Sequence, residues 1–530
     1  MGYAHDYAKD ILWRGRVPME PVDFVPDWAD RPRKSKFYPG TETYPLPGRP
    51  AEAQAADIAA ACLPTAPDTE ATAAFTLPLL AGMLQDSYGL VGRRLGVQAN
   101  TDLSALPHWT HANFSRGTAS GGGLYPVSVY WAAGPSGPLA PGLHHYAPPL
   151  HGLRRLLTGD VTSEVRGALG EDTDAARTDQ FLILGVKYWQ NAFKYNSFSF
   201  HAVSMDVGAL LGTWRLWARP LGLRIAPALW FDEERLARLL GVPSEEEGIF
   251  AVVPLRWERA PVTAAATRPA AAVRHRDVEA SRTVLTFETL RRIHRATAAE
   301  ATARPAPGAL AAAAALPARG EGAHPLPAPK FPEVSVSRAL RERRSSFGRF
   351  EASRPLTATQ LATTLAACAR TGLGSEAETP KGPGLATLYA FVNHVEGIAP
   401  GAYAYDPAAH ALKLVVPGAP GSFLQRNYFL ANYNLEQAGA VLVPTVRTRA
   451  VLDAVGDRGY RLVNGTVGAI AQTFYTAASA LGLGAGVALG FDNISYIEEL
   501  GLDDGDEAPL LIMPLGNERP RPADFRHEIA

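Results

Sequence analysis

The chain has 530 residues, 47% of them apolar and 19% charged, an ordinary globular composition with length enough for two or three cores. Its 51 basic and 52 acidic side chains leave a net charge of −1, which excludes a polyanion-binding surface built on overall charge; no nucleic-acid partner is expected. Only Cys62 and Cys368 are present, at no metal or redox spacing, and no run of 18 apolar residues predicts a membrane span.

The opening stretch, "MGYAHDYAKDILWRGR", is charged and lacks the apolar core of a signal sequence, so a cytoplasmic protein is expected. Residues 1–85 read as an N-terminal extension ending beyond "KFYPGTETYPLP". Residues 86–263 follow with "SRGTASGGGLYPVSVYW" (Ser115–Trp131), whose glycines allow a close backbone approach and whose end, Val127–Trp131, predicts a strand. After "APGLHHY" and the apolar strand "FLILGV" from Phe181 comes Lys194-Tyr195, then a long helical segment, "LGLRIAPALWFD", a short helix "EERLARLLGV" and a last strand. Residues 264–330 are an Ala/Pro-rich linker with one predicted helix over Val278–Ala296. Residues 331–530 open with "LRERRSSFGRF" (Leu340–Phe350), where arginines beside serines suit a phosphate. A strand at Leu388–Val392 and a helix with apolar Val463, Val467, Ile470, Phe474 and Ala477 follow. "LGLGAGVALGFD" and "ISYIEELGL" come after that helix.

The two halves repeat one another. "APGLHHYAPPLHGLRRL" from Ala140 matches "APGAYAYDPAAHALKLV" from Ala399; "FLILGV" matches "VLVPTV" from Val441; "LGLRIAPALWFD" matches "LGLGAGVALGFD"; and "VVPL" from Val252 matches "IMPL" from Ile512. Four blocks in one order at one near-constant offset predict two copies of an α+β fold, a mixed sheet flanked by helices.

These motifs resemble the nitroreductase superfamily: an Arg-Arg-Ser element, a Ser-Gly-Gly-type turn, and a helix end followed by Gly-Phe-Asp. "SGGGLYPVSVYW" leading to "APGLHHY", the Lys-Tyr pair and "KFYPGTETYPLP" look more specifically like the SagB-type azoline dehydrogenases, and the duplicated layout like those of thiopeptide pathways. The resemblance implies tandem nitroreductase-like domains arranged as an intramolecular pseudo-dimer, with FMN bound where the copies meet. It implies oxidation of thiazolines, with oxazolines as a second option, in ribosomally made peptides. An azoline-containing precursor peptide is the implied substrate and a cyclodehydratase a candidate partner.

Two such sites are conceivable. One joins Ser120, Gly121 and Gly122 to Arg343, Arg344, Ser345 and Arg349, to Leu489 and Gly490, and to Arg519 and Arg521. Arg349 falls one residue beyond the usual family spacing. The mirror-image site has "TPKGPGL" in place of the glycine turn, Trp230 in place of Gly490, and only Arg93-Arg94 as a partial match to Arg-Arg-Ser. One FMN per chain is therefore expected. Aligning Gly208 with Gly468 sets Ala454 and Val455 opposite Lys194 and Tyr195, so the pair belongs to the intact site alone. The resemblance makes Lys194 and Tyr195 the catalytic dyad that removes the α-proton of the azoline while a hydride passes to flavin N5; "VKYWQ", with Lys187 and Tyr188, is a competing pair. Arg116 is a further candidate for positioning flavin or substrate. The alternatives are an NAD(P)H-dependent nitro or quinone reductase, and a non-catalytic scaffold of a peptide-modifying complex.

Overall fold

The computed structural model describes residues 2–65, 71–98, 108–170, 175–261, 272–346, 349–379, 382, 384–502, 506–519 and 526–529. Two antiparallel sheets carry the architecture. The front sheet runs Thr43–Pro45, Gly152–Thr158, Gly142–Ala147, Val127–Ala133, Gln180–Lys187, Glu247–Pro254. The rear sheet runs Gly484–Ala485, Met513–Gly516, Ala440–Val446, Ala386–Val392, Gly401–Asp406, Ala411–Pro417, Glu321–Pro325, and Ala508–Pro509 pairs with Ala440–Val446 off this path. Registers repeat as well as order: Ala133 faces Gln180 in front, and Val392 faces Ala440 behind. The central strands are buried on both faces, which is why "VYWAA" and "FLILG" read as apolar runs rather than alternations.

Segments outside the obvious repeat complete each copy. Thr43–Pro45, from the N-terminal extension, and Glu321–Pro325, from the linker, fill equivalent edges of the two sheets. Helices Ile58–Cys62 and Leu77–Ser87 pack on the long helix Ser199–Ala218, as Val336–Glu342 and Ala358–Ala369 pack on Gly459–Ala480. The two first-of-pair helices meet head to head: Ile58 N–H donates to Val334 O at 3.1 Å, and Val336 N–H to Ala56 O at 2.8 Å. Arg93-Arg94, the partial match to Arg-Arg-Ser, lies instead in strand Gly92–Gln98, paired with His108–Ser115 and with the C-terminal strand Arg526–Glu528. The linker helix spans Glu288–Ala299, starting later than Val278. Its expected first turns are held extended, because Asp30 accepts the N–H groups of Arg282 and Thr283, and Val278 N–H donates to Phe37 O.

The halves are joined through their long helices, Ser199–Ala218 and Gly459–Ala480, which are buried almost all round and carry no polar face. They cross at glycines in direct backbone contact: a Cβ on Gly208 would lie 2.0 Å from Gly465 O, and one on Gly468 2.0 Å from Met205 O. Among the described residues no helix is long and apolar enough to cross a membrane, and no group of three or more His, Cys, Asp or Glu could hold a metal ion.

Candidate functional site

The Ser-Gly-Gly-Gly turn is a short 3-10 segment, Gly121–Gly123, hung from the first long helix. Asp206 of that helix accepts the Ser120 hydroxyl at 2.7 Å and the Gly121 N–H at 2.8 Å, and Ser120 Oγ in turn accepts the Tyr125 N–H at 2.9 Å. Burial pushes the Asp206 carboxyl up to about 7, against the pull of those two donors. The second half clamps the turn from the other side. Gln472 accepts the Ala119 N–H at 2.8 Å and donates to Gly117 O at 3.1 Å. Arg343 Nε donates to Gly117 O at 2.8 Å and its Nη2 to Arg116 O at 3.0 Å.

Lys194 and Tyr195 end a short helix, Trp189–Tyr195, and the chain then kinks at Asn196 (φ +40°) before the long helix begins. The kink aims both side chains at the glycine turn. Gly122, at φ +63°, has no room for a Cβ: it would lie 2.7 Å from Tyr195 Oη and 2.9 Å from Lys194 Nζ. A Cβ on Gly123 would meet nothing within 4 Å, so the cradle is open beside the dyad. Lys187, of the competing pair, ends its strand and is bound to Asp277 and Glu279 at 2.6 and 2.5 Å, and the Tyr188 hydroxyl meets His294 Nδ1 at 2.8 Å. Those ties engage Lys187 and Tyr188 with linker residues rather than with the turn at Gly122.

A Cβ on Gly490 would touch only Leu430, at 3.5 Å. Arg14, just past the first helix, donates to the neighbouring Leu489 O and stacks 4.8 Å from the Phe198 ring, linking this segment to the chain just after the dyad. Ser345 Oγ pairs with Tyr475 Oη at 2.9 Å, and the Ser346 N–H donates to Ala485 O at 2.8 Å. Arg344 is turned onto the Glu518 carboxylate, 3.1 Å away at its Nη1. Arg349 offers its backbone carbonyl to the Arg519 N–H at 2.8 Å, the Arg519 side chain is exposed, and Arg521 lies outside the described residues. The contacts thus bring Lys194 and Tyr195 to the turn at Gly122, and Arg343 to the residues that lead into it. Arg344 serves an internal ion pair rather than standing open as an anion clamp.

The mirror position is filled. Trp230 is 1% exposed, and Glu376 accepts its N–H at 2.7 Å together with that of Leu229 at 2.8 Å. Burial raises the Glu376 carboxyl to about 7 despite those donors. Arg458, the repeat counterpart of Phe198, donates to Leu229 O at 2.6 Å and to Glu233 at 2.8 Å. Burial acts to raise the Glu233 carboxyl, but Arg461 and Arg458 outweigh it and hold the group at about 2. Trp230, at the repeat counterpart of Gly490, is therefore packed within protein side chains.

Sequence reasoning did not find Gln472, Tyr475 or Arg14, and it noted Asp206 only for its distance of 12 residues from Lys194, with no role. Their partners are far away in the chain and carry no local motif.

The fold is two nitroreductase-like copies in one chain. Residues 340–517 match the family model described as "Nitroreductase family". A structure from Anabaena variabilis assigned as a nitroreductase is similar over 98% of this chain and 100% of its own, at 21% identity and a TM-score of 0.70, so the two-copy fold is shared end to end. A Methanocaldococcus jannaschii protein assigned as a nitroreductase is 32% identical over 133 residues, 24% of this chain; the chain spans 63% of that relative's length. A chain of the E. coli microcin synthetase McbBCD complex, with truncated pro-MccB17 bound, aligns with 34% of this chain and 70% of its own at 20% identity and a TM-score of 0.29, too slight a likeness to bear weight.

Proposed function

We propose that the chain is an FMN-dependent azoline dehydrogenase acting on azoline-containing peptides, with a single flavin at the junction of its halves and Lys194 and Tyr195 as the catalytic dyad. The observation that carries this reading is the contact at Gly122, which seats both dyad atoms within 3 Å of where a Cβ would stand on the turn that would face the flavin. The residues present fit such a group. Gly123 has open space beside its backbone and Gly490 has only Leu430 near it, and the buried Ser346 hydroxyl has no partner among the described residues, features that support a flat ligand held there. Ser120, Gly121, Gly122, Ser345, Leu489 and Gly490 would hold it, and Arg343 would brace the turn. Bound flavin supplies the two-electron acceptor.

The dyad's work is proton transfer. Oxidising an azoline to an azole removes a proton from the α-carbon and a hydride from the neighbouring ring carbon, and a base must reach that proton. Neither Lys194 Nζ nor Tyr195 Oη has a hydrogen-bond partner among the described residues, so both are available to hold or pass it. Trp28, over Lys194, narrows the access of water to that side.

The test is a Lys194→Ala variant with its visible spectrum and flavin content measured alongside azole formation. The expected result is one flavin per chain and no azole. Undiminished turnover would discard the dyad, two flavins per chain would discard the single site, and rapid bleaching by NADPH would favour a reductase.

A further inference from the structure

The segment Trp28–Lys34 lies along the short helix that carries the dyad. Trp28, 51% exposed, meets the Phe193 ring edge-on at 5.1 Å, and its own ring centre is 5.9 Å from Lys194 Nζ. Gln190, on the same helix, donates to Arg33 O at 2.8 Å, and Arg116 Nη2 donates to Lys34 O at 2.9 Å. These ties bring the exposed side chains of Arg31 and Lys34 to the Lys194 and Arg116 charges.

All four side chains are basic, and among the described residues none of them is in an ion pair. Arg116 is only 3% exposed, and among the described residues its Nη1 has no hydrogen-bond partner. The Tyr88 and Tyr125 rings, 4.4 and 4.2 Å from its guanidinium carbon, offset part of the cost of burying that charge, and among the described residues no anion pairs with it. Burial lowers the Lys34 pKa, and Arg116, Arg31 and Lys194 lower it further, with no acidic group acting the other way. Asp206 faces the turn from the long helix and is already engaged by Ser120 and Gly121. A cluster of this kind, half open and uncompensated, is suited to an anion supplied from outside.

We propose that Arg31, Lys34, Arg116 and Lys194 form a subsite for a substrate carboxylate, so that the peptide held beside the dyad carries an acidic side chain or a free C-terminus near its heterocycle. Arg31 and Lys34 make the contact at the mouth, and Arg116 contributes its charge from beneath. Trp28 packs against the heterocycle's flank. This rests on the dyad reading above, and its test is a binding measurement that needs no turnover.

Fluorescently labelled thiazoline peptides would be titrated with the flavin-loaded protein and followed by anisotropy. One peptide carries Glu with an amidated end, one Gln with a free carboxylate, and one Gln with an amidated end. At low salt the preferred acidic peptide should bind roughly tenfold tighter than the neutral one, and which of the two wins identifies the carboxylate. The gap should close at about 0.5 M salt and in an Arg31→Gln/Lys34→Gln variant. Equal binding of all three peptides, or undiminished discrimination in that variant, would overturn the subsite. So would displacement of the acidic peptide by inorganic phosphate more readily than by acetate at equal ionic strength. If the variant does not fold, the peptide series and salt dependence of the unaltered protein decide the matter. Discriminating binding without azole formation would overturn the dyad reading and leave the subsite, whereas equal oxidation and equal binding of all three peptides would do the reverse.

Discussion

Replacing Asp206 by asparagine should abolish a pH dependence of stability centred on the glycine turn. Burial lifts this carboxyl from its ordinary value of 3.8 to about 7. The folded state therefore binds a proton that the unfolded chain has already released. The contribution is fully present below about pH 4, is lost as pH rises through 7, and is flat above that. One pKa unit corresponds to about 1.4 kcal/mol, so between pH 5 and pH 8 the native chain should lose about 3 kcal/mol through this group alone. Asparagine cannot ionise; its one acceptor oxygen can serve the Gly121 N–H while its NH2 donates to Ser120 Oγ, as the hydroxyl of a protonated Asp206 would. Glu376 is raised similarly and also weakens the protein over this range, so the informative quantity is the difference between wild type and Asp206→Asn. Chemical denaturation at pH 5, 6, 7 and 8, read by tryptophan fluorescence, supplies that difference. It should shift by about 3 kcal/mol in favour of the variant as pH rises. Parallel curves across the range would refute the assignment of an uncharged Asp206 at acidic pH.

Three further outcomes follow from the geometry. Gly122→Ala places a methyl group 2.7 Å from Tyr195 Oη at a φ of +63°; it should cost about 1 kcal/mol in stability and lower turnover by about tenfold or more, with flavin content retained, as measured by absorbance and azole formation. Trp230→Gly should destabilise the chain by about 3 kcal/mol or more without raising flavin above one per chain, because Arg458, Glu233 and Glu376 still fill the space; two flavins per chain would contradict this. Gly208→Ala drives a methyl group into Gly465 O and should lower the melting temperature or yield insoluble protein, while Gly48→Ala, with nothing within 4 Å, should melt within a degree or two of wild type.

Much of this was legible in the sequence because duplication supplies its own control. One offset linked the four matched blocks, and the same offset relates the pairings Ala133–Gln180 and Val392–Ala440, so the sheets follow from the repeat. Comparing Lys194-Tyr195 with Ala454-Val455, and Gly490 with Trp230, marks where the two copies differ, and the structure finds Trp230 buried and Lys194 and Tyr195 beside Gly122. Edge strands escaped notice: Glu321–Pro325 is exposed along its length and has neither alternation nor β-branched residues, so its pairing with Ala411–Pro417 is set by tertiary contact alone. The linker helix was expected too early because Asp30, some 250 positions away, holds Arg282 and Thr283 in extended form. Arg344 read as a phosphate ligand from its motif, but Glu518 lies close enough to take its guanidinium, and no local pattern announces that pair.

The glycine crossing of the long helices is what a two-fold dimer interface looks like, yet here both sides lie on one chain. In a dimer of identical subunits any substitution is written twice, and a tryptophan that plugs one cleft must plug both. Covalent union lifts that constraint. Here Trp230, Arg458 and Glu376 pack one half, where the other half has Gly490 and Phe198 as counterparts of the first two, a difference that a symmetric pair of subunits could not encode.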